Sequence, residues 1–133
     1  MKERDWTIIV QNYVSESIAQ DTNLAVKAFE RIPYTLEVMG YDEQGTYDLR
    51  HMGYQTDLVI TESADDRIWK PRVIIELKIT TVSTHDAITY SQKAFTHKNV
   101  HPYLRYGILL GNRTHYPLPG RLFRHGAHFD FMA

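Results

Sequence analysis

The chain has 133 residues, of which 43% are hydrophobic, and it contains no cysteine. This length suits one compact domain, residues 1–133, with a single core. The absence of cysteine excludes disulfides, thiolate zinc sites, iron–sulfur clusters and cysteine nucleophiles. No apolar run approaches the length of a membrane span, and the first residues do not resemble a signal peptide, so we expect a cytoplasmic protein without membrane contact.

The net charge of −1 conceals an uneven distribution of charge along the chain. Residues 1–84 contain 9 Lys and Arg against 14 Asp and Glu, whereas residues 85–133 contain 6 against 2. An acidic part followed by a basic part is compatible with a carboxylate site beside a surface that binds a polyanion. Ordinary solvated surface charge explains the same distribution without any partner.

The hydrophobic pattern predicts helices and strands in chain order. Trp6, Ile9, Val10 and Tyr13 recur at helical spacing and predict a helix over residues 4–20. Residues 24–32 are predicted to form a second helical piece, which Pro33 ends. The later elements are turns at 42–45 and 117–120, strands at 34–39, 47–52, 55–61, 72–80 and 103–110, a helix at 86–98 capped by Thr84, and a short edge strand at 128–132.

A helix between two strands is typical of a crossover connection, so part of the sheet should be parallel and covered on both faces. We therefore predict an α/β fold with a mixed central sheet flanked by helices. Its order is helix, three strands, helix, strand over roughly residues 5–111, followed by a basic C-terminal appendage at 112–133.

Two of the predicted strands carry charge among apolar residues. Because side chains alternate between the faces of a strand, Glu76 and Lys78 share one face of the strand over 72–80. The opposite face, which we expect to meet the main core, is uniformly apolar: Val73, Ile75, Leu77 and Ile79. Asp57 occurs in the preceding strand and approaches Glu76 if the two strands are neighbours.

Two carboxylates held close together repel each other unless a proton or a cation lies between them. Oxygen ligands of this type suit Mg²⁺ or Mn²⁺, which also accept phosphate oxygens. Such an ion polarises a phosphodiester and helps to generate hydroxide. We therefore predict that Asp57 and Glu76 bind the metal, and that Lys78 positions the attacking water and offsets charge in the transition state.

Asp57 together with Glu76-Leu77-Lys78, on consecutive strands followed by a helix and a strand, resembles the PD-(D/E)xK nuclease superfamily. That superfamily includes restriction endonucleases, Holliday-junction resolvases and exonucleases. The resemblance rests on element order rather than continuous similarity, and it implies a restriction-endonuclease-like core and metal-dependent hydrolysis of DNA. The chain departs from the pattern at Thr56, where the motif name has proline, although many members also lack that proline.

The resemblance implies further site residues. The backbone carbonyl of Leu77 would complete the metal coordination. A glutamate from the first helix would add a ligand, for which Glu16 is the preferred candidate and Glu30 the alternative. Gln92 holds the position of a glutamine that many members place near the site or the DNA, and an ordinary exposed helix residue is the competing interpretation.

The basic part of the chain supplies candidate DNA contacts, in which cationic side chains bind phosphates and interleaved aromatic rings stack on bases. The candidates are Gln92, Lys93, Lys98, Arg105, Arg113, Arg121 and Arg124. Aromatic side chains of a small domain also serve the core. Because a small subunit that cuts both DNA strands needs two active sites, we expect a homodimer.

Other interpretations stay open. The Glu76–Lys78 pair also fits a solvated ion pair on a wet sheet face. The chain can also be a non-catalytic DNA-binding or assembly module on the same fold, or a small α/β domain with an unrelated ligand. The histidine pairs His97/His101 and His125/His128 have spacings that suit zinc, although no cysteine supports them.

Overall fold

The computed structural model describes residues 1–65, 67–112 and 118–133. Arg113 and the first residue of the turn predicted at 117–120 lie outside the described residues. The elements, in chain order, are α1 (Glu3–Ile18), β1 (Leu24–Ala28), β2 (Arg31–Tyr41), β3 (Tyr47–Gln55), β4 (Leu58–Ser63), β5 (Trp69–Ile79), α2 (Thr84–Val100), β6 (Arg105–Gly111), α3 (Gly120–His125) and β7 (Phe131–Met132).

Five strands form one mixed sheet in the spatial order β1-β4-β5-β6-β7. The pairs β1–β4 and β4–β5 are antiparallel, whereas the pairs β5–β6 and β6–β7 are parallel. α2 connects β5 to β6, which confirms the predicted crossover and the predicted α/β class with a mixed sheet. Within the part of the chain that the structure describes, β2 and β3 pair with each other and form a separate two-stranded ribbon.

α2 covers one face of the sheet, and its start is fixed by a capping box. The Ser83 hydroxyl accepts a hydrogen bond from the Asp86 N–H at 2.9 Å, and the Asp86 carboxylate accepts one from the Ser83 N–H at 2.9 Å. The cap therefore lies one residue before the predicted Thr84. None of the described helices is long and apolar enough to cross a membrane.

α1 covers the other face and confirms the helix predicted over 4–20, and its packed side keeps Trp6 and Val10 of the predicted stripe, which are half-buried. Thr7 is buried and Val14 is half-buried, whereas the predicted stripe residues Ile9 and Tyr13 are exposed. The close approach of Trp6 to Gly111 of β6 sets this orientation, because a Cβ at Gly111 would lie 2.3 Å from the indole ring.

The prediction of a helical piece at 24–32 is wrong, because residues 24–28 form the edge strand β1. Leu-Ala-Val-Lys-Ala is compatible with a helix by propensity alone, but pairing with β4 from Leu24↔Glu62 to Ala28↔Leu58 decides the conformation. Phe29 then takes a φ of 59°, which ends the strand, and its N–H donates to the Asp57 carbonyl at 3.0 Å.

The expectation about which face of β5 meets the main core is also wrong. Val73 and Ile75 are only half-buried under α1. A larger cluster lies on the face that carries Glu76, where α2 supplies Ala94, and β5 and its two neighbouring strands supply apolar side chains: Val59, Ile74 and Tyr106. A charged residue of β5 therefore points into the better packed side of the sheet.

The segment predicted as a basic appendage is part of the core in its described portion. Leu122 of α3 is fully buried, and it packs in a cluster with Val82, Ala87 and Ile108. β7 extends the sheet beyond β6 through the register Gly107↔Phe131, which confirms an edge strand within 128–132.

Gly111→Ala should lower the free energy of unfolding by about 1–3 kcal/mol, because the added methyl group overlaps the Trp6 ring. Gly40→Ala is the matched control, since nothing lies within 4 Å of a Cβ at that position, and it should change stability by less than about 0.5 kcal/mol. Urea unfolding of both variants measures the difference. Equal effects would contradict the close docking of α1 on β6.

Candidate active site

Asp57 and Glu76 lie side by side on the face of the sheet that α2 covers. Asp57 directly precedes β4, and the register Leu58↔Ile75 and Val59↔Ile74 continues to place Asp57 opposite Glu76. The two carboxyl groups are within hydrogen-bonding reach of each other. The antiparallel pairing of β4 with β5 thus supplies the adjacency on which the predicted pair depends.

The Asp57 carboxylate also completes the hydrogen bonding of β5. Because β4 begins at Leu58, Leu77 has no strand partner on this side, and its N–H donates to Asp57 Oδ2 at 2.8 Å. The N–H and C=O groups of one strand residue point to the same side. The carbonyl of Leu77 therefore points to the same edge of β5 as the Asp57 carboxylate.

Glu76 is only 2% exposed, which is unusual for a carboxyl group. The Tyr106 hydroxyl donates a hydrogen bond to Glu76 Oε1 at 2.5 Å. Burial, and then the nearby Asp57 charge, raise the pKa of Glu76 to about 8, although Tyr106 and the Lys93 charge oppose the rise. At neutral pH this pair therefore retains a proton unless a cation takes the proton's place.

Lys78 shares a face with Glu76 and lies at the end of β5 nearest to the start of α1. Its Nζ is 3.7 Å from the Glu3 carboxylate, 4.0 Å from the Asp86 carboxylate and 5.8 Å from the centre of the Tyr90 ring. Glu3 is held in place because its carboxylate accepts the Ile79 N–H at 3.4 Å. These contacts hold the ammonium group against Glu3 and Asp86, two residues along β5 from Glu76 and on the same face.

A second cation, Lys93 of α2, lies close enough to the pair that its charge acts on Glu76. Its Nζ lies 4.8 Å from the centre of the Tyr54 ring and 5.0 Å from that of Tyr90. Burial, and then the negative charges of Glu76 and Asp57, raise the pKa of Tyr90, so this tyrosine stays neutral. The site thus combines two carboxylates, two ammonium groups and neutral phenols.

Several predicted residues do not join this cluster. Glu16 is exposed near the C-terminal end of α1, whereas Glu3 at the opposite end of that helix approaches Lys78. Gln92 is exposed and directed away from the sheet, because the buried side of α2 carries Ser91 and Ala94. Glu30 lies beside Asp57 through its backbone, since its carbonyl accepts the Thr56 N–H at 2.8 Å.

The predicted basic surface is divided by internal contacts. Lys98 Nζ donates to the His128 carbonyl at 2.6 Å and lies 3.3 Å from the Asp130 carboxylate. Arg121 Nη1 donates to the Val82 carbonyl at 2.6 Å. Arg105 and Arg124 are exposed, and Arg105 alternates with Tyr106 and so points to the α1 side of the sheet. Among the described candidates, Lys93 is the cation that lies beside the carboxylate pair.

His97 is fully buried, and its ring nitrogens are used inside the fold. Nδ1 lies 2.9 Å from the Lys93 carbonyl and Nε2 lies 3.1 Å from the Ile32 carbonyl. Both nitrogens are therefore occupied, and His101 Nδ1 contacts the His97 carbonyl rather than a shared ion. In residues 1–65, 67–112 and 118–133, no group of three or more His, Cys, Asp or Glu side chains is arranged to hold a metal.

Three residues of this site were not predicted from the sequence: Glu3, Tyr90 and Tyr106. Tyr106 carried a usable signal, because alternation along β6 and the parallel register Ile74↔Tyr106 place it on the Glu76 face. Tyr90 and Lys93 are three residues apart on α2, which is the spacing of neighbours on one helix face. No local pattern marks Glu3, since its role depends on how α1 docks.

The donor set fits a hard divalent cation. Asp57, Glu76 and the Leu77 carbonyl offer oxygen atoms at one edge of β5, and a cation between the two carboxyls would replace the proton that burial and the Asp57 charge hold on Glu76. Mg²⁺ and Mn²⁺ accept few protein ligands and retain several waters, so two carboxylates and one carbonyl suffice.

Comparisons with known proteins identify no family for this chain. No protein-family model matches the chain, and a search of curated proteins finds no match.

Glu76→Gln should raise thermal stability more at pH 9 than at pH 5. The folded-state pKa of about 8 exceeds the ordinary 4.5, so the native chain loses stability as pH rises from 4.5 through 8. The amide removes this loss and should raise the melting temperature at pH 9 by about 4 °C or more, with a much smaller change at pH 5. Melting curves at both pH values, with exposed Glu37→Gln as the control, measure the effect. A pH-independent difference would contradict the buried, ionisable pair.

Proposed function

We propose that this chain is a metal-dependent DNA endonuclease that acts in the cytoplasm as a homodimer and hydrolyses phosphodiester bonds. The observation that carries the proposal is the alignment of Asp57 with the buried Glu76, with Lys78 beside them on the same face of β5. Burying two facing carboxyls costs stability, so a function for the pair is favoured over a structural role.

The element order supports a relationship to the PD-(D/E)xK nuclease superfamily. When the ribbon is set aside as an insertion, the remaining order is α1, three sheet strands, α2 and β6. The insertion lies between β1 and β4, so the three strands are β1, β4 and β5. This is the helix–three strands–helix–strand order of a restriction-endonuclease-like core.

In this proposal Asp57, Glu76 and the Leu77 carbonyl hold Mg²⁺ or Mn²⁺. The bound ion would act as a Lewis acid toward the phosphodiester and lower the pKa of a water ligand. Lys78 orients the attacking water and offsets the charge that develops on the phosphate. Glu3 and Asp86 hold the Lys78 ammonium group in position through their contacts at 3.7 and 4.0 Å.

Lys93 is the best candidate for binding the phosphate next to the cleaved bond. Its ammonium group lies against the rings of Tyr54 and Tyr90, which restrict its position without neutralising its charge. The Lys93 charge acts on Glu76, and Lys78 lies two residues along the same face of β5, so the two cations attract an anionic backbone to the site.

Lys78→Met should reduce nicking of plasmid DNA in the presence of Mg²⁺ or Mn²⁺ by about 100-fold or more, since the variant loses the group that positions the water. Lys70→Met is the matched control, because it makes the same substitution on the same strand at an exposed position against Tyr103. The control should keep activity within about threefold of the parent chain.

Several substrates are needed, including linear, supercoiled and branched DNA, because a sequence or structure requirement can hide activity. Metal-dependent nicking that both lysine variants retain equally would remove the proposed role of Lys78. Absence of nicking on every substrate would remove the endonuclease proposal.

A non-catalytic DNA-binding or assembly module is the second candidate function. The contacts of Lys78 with Glu3 and Asp86 favour it, since an ammonium group held between two carboxylates also serves as a structural ion network. Metal binding separates the two candidates, because a scaffold needs no ion between Asp57 and Glu76.

Asp57→Asn should abolish Mn²⁺ binding measured by calorimetry or by the electron paramagnetic resonance signal of free Mn²⁺. The amide oxygen can still accept the Leu77 N–H, so the fold should persist while one anionic ligand is lost. Asp48→Asn on the ribbon is the matched control and should leave binding unchanged. Equal Mn²⁺ binding by the parent chain and Asp57→Asn would favour the non-catalytic module.

A further inference from the structure

The β2–β3 ribbon has one apolar face and one polar face. The cross-strand pairs Leu36↔His51, Val38↔Leu49 and Tyr41↔Tyr47 lie on one face, because alternate pairs of an antiparallel ribbon share a side. The pairs on the other face are Thr35↔Met52, Glu37↔Arg50 and Gly40↔Asp48.

The apolar face is turned away from the rest of the protein. At the base of the ribbon, Ile32 and Tyr54 lie on the polar face: Ile32 is 2% exposed in the core cluster, and the ring centre of Tyr54 lies 5.8 Å from that of His97 of α2. The opposite face therefore points outward, and its apolar side chains are exposed: Leu36, Val38, Tyr41, Tyr47 and Leu49. A two-stranded ribbon by itself is marginally stable in water, so burial of this face would stabilise it.

The outer part of the ribbon is also strongly acidic. Residues 36–49 contain Glu37, Asp42, Glu43 and Asp48 and no Lys or Arg, which gives a charge of −4. The carboxylates of this segment repel DNA phosphates and anionic membranes, so neither is a suitable partner for its apolar face. It favours a protein surface that is both apolar and basic.

The same chain carries a surface of that kind on α2 and α3. Phe123 is 61% exposed on α3, next to the exposed Arg124, and Phe95 of α2 is also exposed and packs 4.7 Å from the His128 ring. α3 carries Arg121 and Arg124 and no acidic residue, so this α2–α3 surface is locally basic. Its charge is opposite to that of the ribbon.

We propose that two copies of this chain form a reciprocal dimer in which the ribbon of each copy docks on the α2–α3 surface of the other. The apolar face of residues 36–49 covers Phe95 and Phe123 of the second copy, and the ribbon carboxylates lie against Arg121 and Arg124. A two-fold axis makes the two contacts equivalent and closes the assembly at two copies. This reciprocal dimer rests on the homodimer of the proposed function and specifies its interface, and its test measures mass and so is separate from nuclease activity.

Sedimentation equilibrium of the full chain should give twice the 15.6 kDa chain mass, and Leu49→Lys or Phe123→Glu should weaken the association at least about tenfold. Met52→Lys is the matched control, because Met52 lies on the polar face of the same strand and is 46% exposed, as Leu49 is. Val38→Lys provides a second ribbon variant, and circular dichroism verifies that each variant is folded.

Mixing the two variants makes the test specific. A Leu49→Lys copy has an intact α2–α3 surface and a Phe123→Glu copy has an intact ribbon, so the mixture should form heterodimers although each variant alone is monomeric. The mixed pair contains one native contact and one in which the introduced Lys faces the introduced Glu.

Three results would overturn the proposal: a monomeric parent chain, a ribbon variant that stays dimeric, or a Phe123→Glu variant that stays dimeric while Leu49→Lys does not. The last result would indicate ribbon-to-ribbon pairing. Loss of DNA or vesicle binding by Leu49→Lys with no change of mass would assign the ribbon to those partners instead.

Discussion

The pairing of β4 with β5 brings two carboxyl groups together in the best packed part of the molecule, and the rest of the site follows from that constraint. Asp57 takes the place of a strand partner for Leu77, while Glu76 points into the cluster under α2. Backbone register fixes both side chains on the same face of the sheet, and the hydrogen bonds from the Leu77 N–H and the Tyr106 hydroxyl hold the carboxyl groups there. The mutual repulsion is therefore built into the fold, and a proton or a divalent cation must balance it.

The elements around the pair supply compensating groups from distant parts of the sequence. Tyr106 comes from β6, Lys93 from α2, and Glu3, which orients Lys78, from the start of α1. His97 connects this region to the ribbon, since it contacts the Ile32 carbonyl and its ring stacks 5.5 Å from that of Tyr106. The ribbon base and the site therefore share one packed layer, while the outer ribbon extends beyond it.

The elements with strong local signals were predictable from the sequence. Alternation along 72–80 and the following helix predicted β5, α2 and their parallel partner β6, and the Asp57–Glu76 pair followed from strand adjacency. β1 was not predictable, because its residues suit a helix and only pairing with β4 makes them a strand. The role of Glu3 was not predictable, because it depends on how α1 docks on the sheet. The role of Lys93 depends on how α2 is rotated about its axis: Lys93 is half-buried, whereas Gln92, one residue earlier, is exposed.

Binding of Mn²⁺ followed by amide nuclear magnetic resonance tests the central claim most directly, because a paramagnetic ion broadens signals only in its neighbourhood. A cation held by Asp57 and Glu76 should broaden the Leu77 amide first, since that N–H lies 2.8 Å from the Asp57 carboxylate. The acidic ribbon turn near Asp42 offers the competing site within the same spectrum. Broadening at substoichiometric Mn²⁺ around Leu77 is the predicted result, and broadening confined to the ribbon turn, with an unchanged Leu77 signal, would contradict it.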